Sequence, residues 1–316
     1  MENKQFISVD WGTSNLRVRL IEADGLCIQK ELSFAEGVKT MYQQWQTTGE
    51  DREVFFLGFL KEKIDQLVVI EDTTPVVISG MASASIGLRE LPYARLPFDS
   101  NGSTLHVEDI HSTVLSNPIV LISGVRSDDD VIRGEEVQLV GLMDDNGSGE
   151  NSVFILPGTH SKHLICEKGR VIDFKTFMTG EMFQIIAQHS ILQASVKTAT
   201  RGSEELSAFE EGVLKAKEDS SILNELFKIR AFDLFGTRSK AENFHYLSGL
   251  LIGEEMSTLL NIKLDKIKLC AGGGLFDLYK RAAEVLGLAR NTEIVDKETV
   301  DSSVICGQWK ILNSRK

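Results

Sequence analysis

The sequence predicts an α/β chain folded as two domains. Three observations carry that expectation. At 316 residues the chain exceeds the roughly 100–200 residues of one ordinary domain. Apolar strand-like runs alternate with helix-period stripes along its length. An opening outline of strand, small polar turn, strand, glycine turn and strand recurs from residue 153. Such a recurrence is architectural duplication and not a solenoid repeat.

In the first half, Phe6, Ile7 and Val9 lead into Asp10-Trp11-Gly12-Thr13-Ser14-Asn15, which is turn chemistry. Residues 16–22 then alternate, with Val18 and Leu20 on one side and Arg17 and Arg19 on the other. Asp24-Gly25 turns the chain into a third strand over 26–34. Phe56, Leu60, Ile64 and Leu67 form one stripe and predict a helix over 52–69. Apolar strands follow at 76–79 and 119–123, the second running into Gly124-Val125-Arg126 and the acidic cluster Asp128-Asp129-Asp130. A helix is predicted over 135–143. The segment 144–150 is the most loop-like in the chain, so the domains are expected at 1–148 and 149–316.

The second half opens with strands at 153–156, 163–167 and 170–174. Helices are expected over 180–192, 207–217, 222–234 and 241–260. A strand at 267–270 then meets Gly272-Gly273-Gly274 and a helix over 275–286. A short strand near 293–295 and a helix from about residue 302 close the chain.

Composition removes several function classes. Hydrophobic residues at 42% and charged residues at 25% exclude a disordered or fibrous chain. The balance of 34 basic to 46 acidic residues, net −12, argues against nucleic-acid or anionic-membrane partners. No apolar run reaches the ~18 residues of a membrane span, and the opening MENKQFISVDWG has no signal-peptide apolar core. Cys27, Cys166, Cys270 and Cys306 form no CxxC; they read as reduced, small buried hydrophobes of a cytoplasmic protein.

Three motifs point to phosphate chemistry. In the turn at 10–17, Gly12 permits close backbone approach, while Thr13 and Ser14 offer hydroxyls and amides that converge as an anion nest. Arg17 adds a cation, and Asp10 at a strand end can hold Mg²⁺ through water. The second turn repeats this chemistry with Gly158, Thr159, Ser161 and Lys162. Either could be an ordinary hairpin turn; two such turns, each opening a three-stranded unit, are more informative. The run Gly272, Gly273 and Gly274 before a helix lets a flat ring or a phosphate reach the backbone. It has neither dinucleotide-fold nor P-loop spacing.

Two phosphate turns and a late glycine motif, in that order, resemble the sugar kinase, Hsp70 and actin superfamily. The strings narrow this further. Residues 6–17, Gly80-Met81-Ala82-Ser83, Gly124-Val125-Arg126, 130–136, 156–162, 174–181 (FKTFMTGE), 247–253 and 271–275 resemble the 2-dehydro-3-deoxygalactonokinase family. That resemblance implies two ribonuclease-H-like domains around a nucleotide cleft. It also implies ATP- and Mg²⁺-dependent phosphorylation of the terminal hydroxyl of 2-dehydro-3-deoxy-D-galactonate, a step in galactonate breakdown. The polyphosphate would lie between the 10–17 and 158–162 turns, the adenosine near 272–274, and the sugar acid against the first domain.

A general base is then needed, and the superfamily places it between the substrate region and the second turn. That interval holds Asp128, Asp129, Asp130, Glu135 and Glu136, with Asp130, Glu135 and Glu136 ranked in that order as base. The substrate is an anion, so Arg126 and Arg133 are expected to bind its carboxylate, Glu136 to contact the substrate, and Lys162 to serve either anion. Arg89 and Arg95 are weaker candidates. His160 and His163 fall on opposite strand faces and do not suggest a metal pair. Trp11, Phe56, Phe59 and the stripe Leu247, Leu250, Leu251 and Ile252 are expected to pack. An apolar helix face could be core or a homodimer surface. Rival readings are a kinase for another sugar, an actin-like ATPase acting by conformational change, and a sugar-sensing regulator. The last would carry a DNA-binding helix-turn-helix, whereas only five residues precede Phe6.

Overall fold

The computed structural model describes residues 4–67, 71–143, 150–198, 202–218, 221–270 and 274–315. The chain divides into two compact units. Unit 1 comprises Met1–Gly149, Lys168–Asp173 and Glu298–Lys316, and unit 2 comprises Glu150–Glu167 and Phe174–Lys297. The last helix therefore groups with the first unit, a correction to the expected contiguous second domain.

Unit 1 begins with the antiparallel strands β1 (Gln5–Trp11), β2 (Leu16–Glu22) and β3 (Cys27–Phe34). Next come α1 (Val38–Trp45), α2 (Arg52–Ile64) and β4 (Val76–Gly80). Short strands follow: β5 (Ala94–Arg95), β6 (Phe98–Asp99), β7 (Val107–Ile110), β8 (Ile119–Ile122), β9 (Val125–Arg126) and β10 (Val131–Ile132), then α3 (Glu135–Leu142). The main sheet runs β3-β2-β1-β4-β8-β7, with β4 parallel to both β1 and β8. β4 and β8 are buried at every residue, as parallel strands covered on both faces must be. Asp51 caps α2 by accepting from the amides of Glu53 and Val54. α2 ends at Ile64, short of the predicted 69. Its Phe56, Leu57 and Leu60 join Ile7, Val9 and Trp11 in the core.

Unit 2 holds β11 (Ser152–Leu156), β12 (Ser161–Glu167) and the later part of β13 (Arg170–Phe177). Then come α4 (Thr179–His189), α5 (Ser203–Lys217), α6 (Ile222–Phe235), α7 (Lys240–Ser257), β14 (Lys266–Leu269), α8 (Gly274–Val285) and β15 (Thr292–Ile294). Its strands run β15-β14-β11-β12-β13, with β14 parallel to both β11 and β15. The order 3-2-1-4-5, three hairpin-linked strands followed by two parallel ones, is thus present in each unit. That is the ribonuclease-H-like arrangement, used twice.

α9 (Lys297–Ser314) closes the chain. Its buried Gln308 donates from Nε2 to the Val9 carbonyl and to Ser79 Oγ, and Trp309 stacks on Phe6 at 5.3 Å. Among the described residues no helix is long and apolar enough to cross a membrane.

Candidate active site

In unit 1 the parallel strands β1, β4 and β8 end together, which is where open α/β sheets place ligands. The register pairs Asp10 with Ser79 and Trp11 with Gly80. The turn after β1 is held from behind by the start of α1. The carbonyls of Ser14, Gly12 and Thr13 accept from the amides of Gly37, Val38 and Lys39 at 3.1, 3.0 and 3.2 Å. Helix-start donors, orphaned by geometry, are thereby satisfied, and the turn is fixed. Gly37 is obligatory there, because a Cβ would lie 2.3 Å from the Thr13 carbonyl oxygen. Thr13 and Ser14 are exposed residues, and their amides have no acceptor among the described residues, so they remain available to an anion. Trp11 is buried, packs on Phe56 and Phe59, and donates from Nε1 to the Glu36 carbonyl.

Asp10 lies 3.6 Å from Arg17 and keeps about a quarter of its side chain exposed, at 26%. Burial pushes its carboxyl above the ordinary value, Arg17 and Arg19 pull it back, and Glu135 pushes it up. Asp10 and Glu135 therefore share one local field. Glu135 also accepts from the Arg133 amide at 3.1 Å. Glu136 is fully buried and accepts from the Gly134 amide through both oxygens, at 2.7 and 2.9 Å. Burial and the charge of Glu135 push its carboxyl up to about 8. It is an internal brace, which corrects its expected place on the substrate.

Arg133 donates to Ser83 Oγ and lies 4.3 Å over the Tyr93 ring. It ties the Gly80–Ser83 string to the start of α3, whereas the sequence placed it on the sugar carboxylate. Arg89 is held by Glu53 at 2.7 and 2.8 Å. Asp130 sits between β9 and β10, where Oδ1 accepts from the Val131 amide at 2.7 Å and its own amide donates to Ser127 Oγ. Arg126 and Arg95 line a cavity of about 280 Å³ with Ser127, Asp128 and Asp129.

Unit 2 repeats the device of unit 1. The Thr159 carbonyl accepts from the Glu181 amide at the start of α4. Gly180 permits the contact, since a Cβ there would lie 2.5 Å from the Gly158 carbonyl oxygen. The amides of Gly158 and Thr159 have no acceptor among the described residues. Lys162 donates to the His160 carbonyl at 2.9 Å, so its charge sits within the turn. Ser161 instead points inward: it is fully buried and donates to Glu255. This corrects the expected use of its hydroxyl on phosphate.

The hub of unit 2 is Glu255, at 1% exposure. Ser161 at 2.6 Å, Thr179 at 2.5 Å and Tyr279 at 2.7 Å donate to it, and His163 Nε2 lies 3.0 Å away. Burial alone would raise its carboxyl, but the His163 contact together with the Ser161 and Thr179 hydroxyls holds it below the ordinary value. One carboxylate thus joins the turn after β11, the start of α4 and α8. Beside it opens a cavity of about 470 Å³ lined by Gly158, Thr159, Gly180, Phe183, Phe244 and Leu275 among others. This apolar slot with polar groups at one end fits a flat heterocycle joined to an anion. Gly274 opens α8 and is exposed; Gly272 and Gly273 lie outside the described residues.

Sequence reasoning missed Gly37 and Glu255 altogether, and gave Gly180 only as part of a string. Among the cysteines, Cys166 and Cys270 are buried as expected, whereas Cys27 is exposed and Cys306 intermediate.

The 2-keto-3-deoxy-galactonokinase family model matches residues 10–311. A Rhizobium meliloti (strain 1021) protein named as a probable 2-dehydro-3-deoxygalactonokinase is 34% identical over 301 residues, 93% of this chain and 92% of that protein. The Escherichia coli (strain K12) 2-dehydro-3-deoxygalactonokinase is 30% identical over 291 residues, 90% of each chain. A solved structure of a Sinorhizobium meliloti protein described as a putative 2-dehydro-3-deoxygalactonokinase superposes with a TM-score of 0.80 at 32% identity, covering 98% of this chain and 96% of that one. A fold duplicated in two units, a small-residue turn backed by a glycine in each and a family match over nearly the whole length agree, and the chain belongs to the 2-keto-3-deoxy-galactonokinase family of carbohydrate kinases.

Proposed function

We propose that the chain transfers the γ-phosphoryl group of ATP to the C6 hydroxyl of 2-dehydro-3-deoxy-D-galactonate, giving the 6-phosphate in cytoplasmic galactonate catabolism. The observation that carries this reading is the repeated device: in each unit a small-residue turn with unclaimed amides is fixed by a helix start through a glycine. Free amides aimed outward are the means by which such proteins cradle phosphate.

In this reading Gly12, Thr13, Ser14 and Arg17 serve one phosphate turn, and Gly158, Thr159 and Lys162 the other. The adenine and ribose occupy the unit 2 cavity, which Leu275 lines from the start of α8. Glu135 is preferred over Asp130 as base, because it lies near enough to Asp10, at the end of β1, for the two charges to act on each other. Asp10 and Glu135 are hard oxygen donors and fit a hydrated Mg²⁺ brought in with ATP, which would neutralise phosphate charge. Among the described residues no group of three or more His, Cys, Asp or Glu suits a resident metal.

The test is ADP release with Mg·ATP and a panel of acceptors: the galactonate-derived acid, its gluconate epimer and a neutral hexose. Turnover confined to the first is expected. Glu135→Gln should lower kcat by roughly 100-fold or more, and Asp130→Asn far less. Preference for the neutral hexose would discard the substrate assignment. Equal loss in both variants would discard the choice of base.

A further inference from the structure

We propose that Arg95 and Arg126 together form the receptor for the carboxylate of the sugar acid, in a site carried wholly by unit 1. The proposal rests on the kinase reading above and deepens it.

The parallel register of β5 and β9 sets Arg95 beside Arg126. Residues in register on adjacent strands share a face, and like charges so placed repel. Among the described residues neither guanidinium is tied down by a hydrogen bond or an ion pair; Asp128, Asp129 and Asp173 on the same cavity wall temper the repulsion without pairing with either arginine. The other two arginines considered for this role are both spent, Arg89 on Glu53 and Arg133 on Ser83 and Tyr93. Two adjacent, unspent guanidinium forks are the geometry that takes a carboxylate bidentately.

The rest of the cavity fits the rest of such a ligand. Its volume of about 280 Å³ lies near the small end of the roughly 300–1,000 Å³ range of small-molecule sites. Asp128, Asp129 and Ser127 stand on its wall. These are acceptors, suited to sugar hydroxyls and hostile to a second anionic group. A short chain with one carboxylate and several hydroxyls meets both demands; a sugar bisphosphate or a dicarboxylate does not. The cavity therefore selects polyhydroxy monoacids as a class.

The experiment is steady-state kinetics on the full chain with Arg95→Ala, Arg126→Ala and their Lys counterparts. Melting curves confirm that each variant folds. KM for the sugar acid should rise roughly 10–100-fold per alanine, while kcat and KM for ATP hold near wild type. Lysine should restore only part of the affinity, because it keeps the charge and loses the fork. A neutral analogue with the carboxylate reduced to a hydroxymethyl group should be equally poor for wild type and variants. If the wild type phosphorylates the acid and the double alanine variant keeps the wild-type KM, this inference falls and the kinase reading stands. A rise in KM for ATP matching that for the acid also overturns it. If the wild type leaves the acid unphosphorylated, the kinase reading falls and takes the inference with it.

Discussion

Glu136 and Glu255 are both buried carboxylates, yet their surroundings set them opposite ways. Burial and the like charge of Glu135 outweigh what the Gly134 amide, its own amide and Arg133 offer Glu136, so its carboxyl is pushed up to about 8. The folded state then holds a proton that the unfolded chain, with an ordinary value near 4.5, releases earlier. Stability from this group is fully present below the unfolded value and declines as pH rises toward 8, by at most about 1.4 kcal/mol per pH unit. Glu136→Gln should flatten that part of the profile, read as the difference between wild-type and variant denaturant curves from pH 5 to 9. An unchanged slope would contradict the assignment. Glu255 instead has its charge satisfied by the His163 contact and three hydroxyl donors. Glu255→Ala strands them in the core and should cost about 3–5 kcal/mol of unfolding free energy. A urea midpoint within error of wild type would count against its role as hub. Neither residue announces itself in the sequence. Glu255 lies in a helix string resembling many others, and its partners are far from it along the chain.

At the scale of elements, the unit of construction is a hairpin turn backed by a helix start. Gly37→Ala and Gly180→Ala each place a methyl group inside van der Waals distance of the turn backbone. Forced contacts of this kind typically cost about 1–3 kcal/mol. Each variant should melt at lower temperature and bind ATP more weakly, the second by calorimetry; unchanged ATP affinity in both would separate the turns from phosphate. The long periodic helices and the strands flanking the turns were legible, because 3.6- and 2-residue periods extend over enough positions to be seen. α1 was not read, since its eight residues carry no side-chain cap. The two-residue strands β5 and β9 were unreadable for a similar reason: no alternation exists within two positions. Their pairing is nonetheless what sets Arg95 beside Arg126, so the weakest sequence candidate gained the most from the fold.

Across the whole molecule, the duplicated outline was visible because both halves open with the same order of strand and turn. The discontinuity of the units was not. It depends on α9 returning to β1 and β4 through Gln308, a contact spanning the chain from residue 308 to residue 9. The motifs located both turns correctly, but could not say which of their side chains face outward. Ser161 and Thr159 look alike as hydroxyl residues, and only packing shows that the first is buried. Function at this scale requires that each ATP consumed deliver its phosphoryl group to the sugar acid. The most direct measurement follows ADP and sugar phosphate in one reaction, with ³¹P and ¹³C spectra locating the new ester. Equal amounts of ADP and of the C6 phosphate of 2-dehydro-3-deoxy-D-galactonate are predicted. ADP formed without sugar phosphate, or an ester on another carbon, would contradict the account.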